Sequence, residues 1–189
     1  MTESGRTERP EAWREAAHAI LARLEALLPK DAEGAFLAFK PGATGAEEKS
    51  DVVHDFLAHL AEQMTEMNEE KQAETKRFLQ WLETEIGQSI DALRLKTKIR
   101  GYHDADFEPL LDALRANDKA LNRVAHRSDF QDDLRREFDV SMAKLRPLKA
   151  RTAATDWLID QIVYRLYGLT EDEIAVVEGR AGDAGGETA

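Results

Sequence analysis

The chain of 189 residues contains no cysteine. That excludes a disulfide scaffold, a thiolate nucleophile and every cysteine-ligated zinc or iron–sulfur site. Aromatic residues make up only 7 %, and no apolar run approaches the roughly 18 residues that mark a membrane-spanning helix. The opening stretch MTESGRTERPEAWREA is too acidic and polar for a signal or transit peptide, so the expected address is the cytoplasm and no membrane contact is expected. Phosphate-binding loops of the GxxxxGK[ST] kind, GxGxxG fingerprints and GxSxG elbows are missing. An Asn-Pro-Pro-Tyr run and a glycine-rich methyl-donor loop are missing too, so the chain is not a complete adenine methyltransferase. The expectation is a non-enzyme, with no catalytic residue, metal or cofactor.

Charge is what the sequence has in abundance. Charged residues reach 33 % and the net charge is −11, a balance that suits exposed helices and opposes non-specific nucleic-acid binding by the whole surface. The sum hides an asymmetry. Residues 1–93 carry 10 basic and 19 acidic side chains, residues 94–151 carry 14 and 10, and residues 152–189 carry 2 and 8. The middle third is a basic island between acidic flanks, a pattern that marks either a polyanion-facing surface or merely a solvated face.

The apolar periodicity predicts an all-α fold, a long helix plus an antiparallel helical bundle. Residues 1–9 read as disordered. Pro10 suits the first turn of a helix, and Trp13, Ala17, Ile20, Leu21, Leu24, Leu27 and Leu28 recur at helical spacing up to Pro29. Residues 30–50 read as a glycine- and proline-bearing linker, so 1–49 form an N-terminal helix and linker; its AFLAF segment is a short strand or one buried turn. Ser50 or Asp51 caps the next helix, expected to run to about Ile86. Val53, Leu57, Leu60, Met64, Met67, Lys71, Glu74, Phe78, Trp81 and Glu85 form a heptad-like seam along it, apolar at its ends and polar in the middle. The middle is expected to bridge solvent or meet a partner. An irregular stretch between Gly87 and Gly101 precedes one helix marked by Phe107, Leu110, Leu111, Leu114, Leu121 and Val124. Phe130 to Leu145 mark another, ended or kinked by Pro147. Trp157, Leu158, Ile159, Ile162, Val163, Leu166 and Tyr167 then form a helix apolar on most faces, hence expected in the core or at an interface. Gly168 suits a left-handed C-cap, and Thr170 with Glu173 forms a capping box for a last short helix. Residues 180–189 read as a disordered tail.

Two catalytic readings are weak. His103, Asp104 and Asp106 are the densest histidine–carboxylate cluster, but a polar turn capping the next helix accounts for them better. Asp31, Glu47 and Lys49 match a nuclease set only if they lie on adjacent strands. His54 and His59 are five apart and do not share a helix face. Three basic sets remain: Arg94, Lys96, Lys98 and Arg100; Arg115, Lys119, Arg123 and Arg127 at every fourth residue of the expected helix; and Lys144, Arg146, Lys149 and Arg151. Such sets can lie on a phosphate backbone, each contact releasing a counterion.

The segment SMAKLRPLKARTAATDWLIDQIVYRLYGLTEDEIAVVEG, and above all its TDxLIDQIVYxLYGLTxxEIxxVE pattern from Thr155 to Glu178, resembles the C-terminal end of type IIG restriction–modification enzymes. It also resembles that of the related methyltransferases of BREX phage-defence systems, which share a TaqI-like specificity domain. Phe56–Glu83 and Lys96–Leu114 are similar to the same tail region, so the resemblance covers roughly residues 50–179. Neither the methyltransferase core nor the target-recognition domain has a counterpart here, and no active-site residue carries over. The resemblance implies a helical module made as its own small subunit, docking on a large methyltransferase, nuclease or helicase of a defence system. It would touch DNA only within that complex, through Arg115, Lys119, Arg123, Arg127, Lys96, Lys98 and Arg100. A structural adaptor whose long helix forms a coiled-coil-like interface, with no DNA contact, is the alternative.

Overall fold

The computed structural model describes residues 11–28 and 47–180. The expectations for residues 1–9, the AFLAF segment, Asp31 and the segment 181–189 lie outside them, as do Pro10 and the side chain of Trp13. Among the described residues there are six α-helices and no strand: α1 (Glu11–Glu25), α2 (Glu47–Ile86), α3 (Lys96–Arg100), α4 (Phe107–Arg115), α5 (Ser128–Tyr167) and α6 (Glu171–Val177). Three single turns of 3-10 helix join them, at Ile90–Ala92, Tyr102–Asp104 and Val124–His126. The fold is all-α. No helix among the described residues is long and apolar enough to cross a membrane.

Two of the helices have 40 residues each, about 60 Å at 1.5 Å per residue. Helix α2 contains neither glycine nor proline and stops at Gly87, whose φ of +66° is the left-handed conformation that closes a helix. It starts at Glu47, one turn before the expected cap at Ser50 or Asp51, because nothing in Glu47–Lys49 opposes helix. Helix α5 departs further from expectation. It runs without interruption through Pro147, joining what periodicity had read as two helices. The proline removes one N–H and leaves the carbonyl of Ala143 without its helical donor. Both residues are exposed, so water meets that carbonyl, and buried side chains on either side, Leu145 and Ala154, hold the helix in register. Pro147→Ala should therefore stabilise the protein, by about 2 kcal/mol once the entropy regained by the unfolded chain is deducted. A denaturation midpoint that does not rise would show that the helix is already relaxed around the ring.

The fold divides into two compact units, one of residues 65–152 and one of residues 1–64 with 153–189. Helices α2 and α5 contribute to both. In the 65–152 unit they pair antiparallel: Met67 meets Thr152, Glu74 meets Lys144 and Arg77 meets Glu137. Its core contains Phe78, Leu82, Ile99, Tyr102, Leu110, Leu114, Leu121, Leu134 and Leu145, all essentially without solvent contact. Phe78 stacks on Tyr102 at 4.0 Å between ring centroids, and Phe138 stands edge-on to both Tyr102 and Phe107. Beyond Phe78 the buried edge of α2 moves to Leu82 and Ile86 while Glu85 is exposed, since a straight 3.6-residue helix drifts off a heptad seam.

In the second unit, Leu21, Leu24 and Leu28 pack with Val53 and Leu60 of α2 and with Leu158, Ile162 and Leu166 of α5. Arg165 donates to Glu25 at 2.7 Å. Of the seven residues expected in the core or at an interface, Leu158, Ile162 and Leu166 are buried, while Trp157, Ile159 and Val163 are half-buried. Tyr167 is 62 % exposed. It lies at the last position of α5, where Tyr164 takes the buried place instead. Gly168 has φ +64°, and Leu169 N–H reaches back to the carbonyl of Tyr164 at 2.9 Å. The Thr170–Glu173 capping box is present in both directions.

Candidate functional site

The expected basic stripe is not one helix face. Helix α4 ends at Arg115, and residues 116–123 form turns in which Asn122 and Arg123 both have positive φ. The cause is Asn117. Its buried side chain accepts from the backbone N–H of Arg94 at 2.8 Å and donates to the carbonyls of Arg94 and Ala113 at 2.9 Å. A carboxamide tied to a segment 23 residues away competes with the next helical turn. Leu114 and Leu121 are buried as expected, yet Arg115, Lys119, Arg123 and Arg127 belong to a helix end, a turn and a 3-10 cap.

Pairing sorts these cations further. Arg115 lies 3.6 Å from Asp112, and Arg127 is bonded to Asp129. Lys96 and Arg100 share Asp91 at 3.7 and 2.8 Å. Lys149 donates to Asp104 at 2.6 Å and to the carbonyl of His103 at 3.0 Å, and Lys144 donates to Glu74. Arg94, Lys98, Lys119, Arg123, Arg146 and Arg151 are exposed and form no ion pair among the described residues. All six belong to the 65–152 unit. Exposed pairs such as Arg115–Asp112 hold their cations by no more than about 1 kcal/mol, so they remain open to exchange for a phosphate.

The polar middle of the α2 seam is occupied from within the chain. The Glu74 carboxylate, only 9 % exposed, receives Arg77 through Nε and Nη2 at 2.9 and 2.7 Å, and Lys144 at 2.9 Å. Arg77 reaches on to Glu137 at 2.9 Å. Burial pushes the Glu74 carboxyl upward, but the bonds from Arg77, Lys144 and Ser141 outweigh it and hold it below the usual carboxylate range. Ser141 is fully buried and shares a 2.7 Å hydrogen bond with the Tyr102 hydroxyl, whose own proton is held more tightly because the ring is buried.

A groove of about 420 Å³ opens on the same unit. One wall is a face of α2 carrying Lys71, Thr75, Leu79 and Glu83 in one row and Gln72, Lys76 and Gln80 in the next. Ile90, Arg100 and His103 form the other wall. In the sequence Lys71 stands out only as a polar seam position, and Lys76 carries no signal of its own. Sequence spacing places both on a helix face, but not opposite Arg100 and His103, which a separate turn brings there.

The His103–Asp106 cluster behaves as a polar turn. Asp104 is bonded to Lys149, and His103 Nδ1 lies 3.1 Å from the same carboxylate. Burial raises the Asp104 carboxyl, and the Lys149 bond with the neighbouring imidazole more than reverses it. Asp106 is the N-cap of α4, though its side chain makes no capping hydrogen bond. His59 bonds Gln63. No group of three or more His, Cys, Asp or Glu that could hold a metal occurs among the described residues. Glu47 and Lys49 lie in the first turn of α2, so the strand placement a nuclease set requires is not met there.

A family model described as "Domain of unknown function (DUF8810)" matches residues 50–163, more than half of the chain. No curated protein and no solved structure matches.

Proposed function

The chain belongs to the DUF8810 family, and we propose that it is a non-enzymatic helical subunit of a restriction–modification or BREX-like anti-phage complex. It docks on a methyltransferase, nuclease or helicase and lends the assembly contacts to the DNA backbone. The observation that carries this reading is that six exposed cations of residues 94–151, the basic third of the sequence, form no ion pair among the described residues. The resemblance of residues 50–179 to the tail of type IIG and BREX methyltransferases supplies the kind of machine. The net charge of −11 keeps the free chain off DNA at physiological salt. A partner that covers part of the acidic surface is what brings the cations to phosphate.

The structural-adaptor reading draws on the heptad seam of α2. That seam is filled by α5 at Met67 and Glu74, which leaves it less to offer a second protein.

Two measurements test the proposal. Affinity capture from the native host should bring down a large DNA-modifying or DNA-translocating enzyme. In the captured complex, Lys119→Ala and Arg123→Ala, made singly, should each lower the slope of log affinity against log salt by about 1, alike for all sequences. Arg127→Ala, already paired to Asp129, should change it less. Unchanged slope and affinity in all three would remove DNA contact and leave the adaptor reading in its place.

A further inference from the structure

The geometry points to the groove between α2 and the 90–103 segment as a binding site for a free nucleoside phosphate. This reading is independent of the DNA proposal, since the cations of the two sites differ except for Arg100.

Charge comes first. Lys71 and Lys76 form no ion pair among the described residues, and Arg100 faces them across the groove, held only by the exposed Asp91. Glu83 is the one carboxylate in the lining. It is already engaged, accepting the Ile90 N–H at 2.8 Å and the Ser89 hydroxyl at 3.1 Å. The groove is thus cationic in a chain of net charge −11, with its own anion turned to the backbone. A multivalent anion bridging both walls relieves that repulsion. Phosphate fits best, because two ammonium groups and a guanidinium supply point and fork donors together.

Inorganic phosphate alone would leave most of the site unused. Leu79, half-buried on the α2 wall, gives the groove an apolar patch against which a flat base can rest, with the almost fully buried Ile90 on the opposite wall. Gln72, Gln80 and Thr75 flank it with amide and hydroxyl groups able to meet base edges or ribose hydroxyls. The volume falls within the range of small-molecule sites, about 300–1,000 Å³. From Lys71 to Glu83 the α2 wall is about 18 Å long, enough for a base and ribose followed by a phosphate chain. A nucleic-acid strand is less well served, since the lining carries no Phe, Tyr or Trp on which successive bases would stack.

The test is a calorimetric titration of the full-length protein with ATP, AMP, inorganic phosphate and a 5′-phosphorylated trinucleotide. ATP is expected to bind one site with a dissociation constant below about 1 mM, and inorganic phosphate about tenfold or more weakly. Lys76→Gln and Arg100→Gln should each weaken ATP by about tenfold, while Lys119→Gln leaves it unchanged. Retained helical circular dichroism in each variant keeps loss of binding distinct from loss of fold. Amide shifts on ATP addition should concentrate on residues 71–83 and 90–103. No saturable binding by ATP would overturn the proposal, as would inorganic phosphate binding equally well or affinity indifferent to both groove variants. Tighter binding of the trinucleotide than of ATP would convert the site into one for strand ends and overturn the free-nucleotide assignment. Loss of phosphate contacts to duplex DNA in the assembled complex has no bearing on any of these readouts.

Discussion

Replacing Phe78 by alanine is expected to cost about 3–5 kcal/mol. The ring is fully buried, stacks on Tyr102 and tilts against Trp81 at 5.8 Å. Its removal opens a cavity that cannot collapse cheaply, because the neighbour that would fill it is pinned. The Tyr102 hydroxyl is held by Ser141, so moving the ring inward breaks a buried hydrogen bond. Chemical denaturation of the variant against wild type measures this directly. A loss below about 1 kcal/mol would mean that the aromatic cluster repacks freely.

Arg77→Met should cost about 1–2 kcal/mol near neutral pH, between the values for exposed and buried pairs, because Glu74 is buried while Arg77 is 39 % exposed and Lys144 stays with Glu74. The pH dependence gives the cause away. In the wild type Glu74 titrates below its unfolded value of 4.5, so its contribution is complete above that value and disappears as pH falls through the folded one. Without Arg77 the burial that opposes ionisation is less well countered, and the Glu74 carboxyl rises. The variant can then discharge its buried carboxylate by taking a proton while the wild type remains charged. The gap between the two proteins should accordingly shrink on acidification below about pH 4.5. A gap independent of pH would make Arg77 a packing residue whose charge is immaterial.

Acid acts differently in the other unit. Burial, with Asp156 and Glu178 nearby, raises the Asp160 carboxyl. A raised acid favours the folded state at low pH and loses that benefit as pH climbs through the unfolded and then the folded value. Glu74 and Asp160 therefore pull the stability curve in opposite directions within the same acidic range.

The parts of this fold that were legible in the sequence are those whose causes lie a few residues apart. Thr170 and Glu173 satisfy each other's backbone across one turn, and Gly168 adopts positive φ where a side chain would be strained. The apolar spacing of α2 needs no more than the helix itself. What the sequence concealed depends on distant partners. Asn117 ends α4 through bonds to Arg94, and nothing in the local string ANDKALNRV distinguishes that asparagine from a solvated one. Pro147 stays inside a helix because packing on both sides outweighs one missing bond. The groove is invisible for the same reason, since Arg100 and His103 on one wall are far along the chain from Lys71 and Lys76 on the other. Tyr167 was misplaced by periodicity alone, as a helix terminus escapes the burial of the turn before it.

The contacts that α5 makes with α2 and α1 also favour one order of assembly. Arg77 and Glu137 close a loop of 60 residues, Glu74 and Lys144 one of 70, Met67 and Thr152 one of 85, and Glu25 and Arg165 one of 140. These contacts are nested, each lying inside the next. Forming the outermost first would carry the full entropy of the longest loop, which grows by about 0.6 kcal/mol with each doubling. Forming the innermost first leaves every later contact a span shorter than its whole loop to close. Loop entropy alone thus predicts that the chain zips outward from the Arg77–Glu137 contact, with α1 docking last.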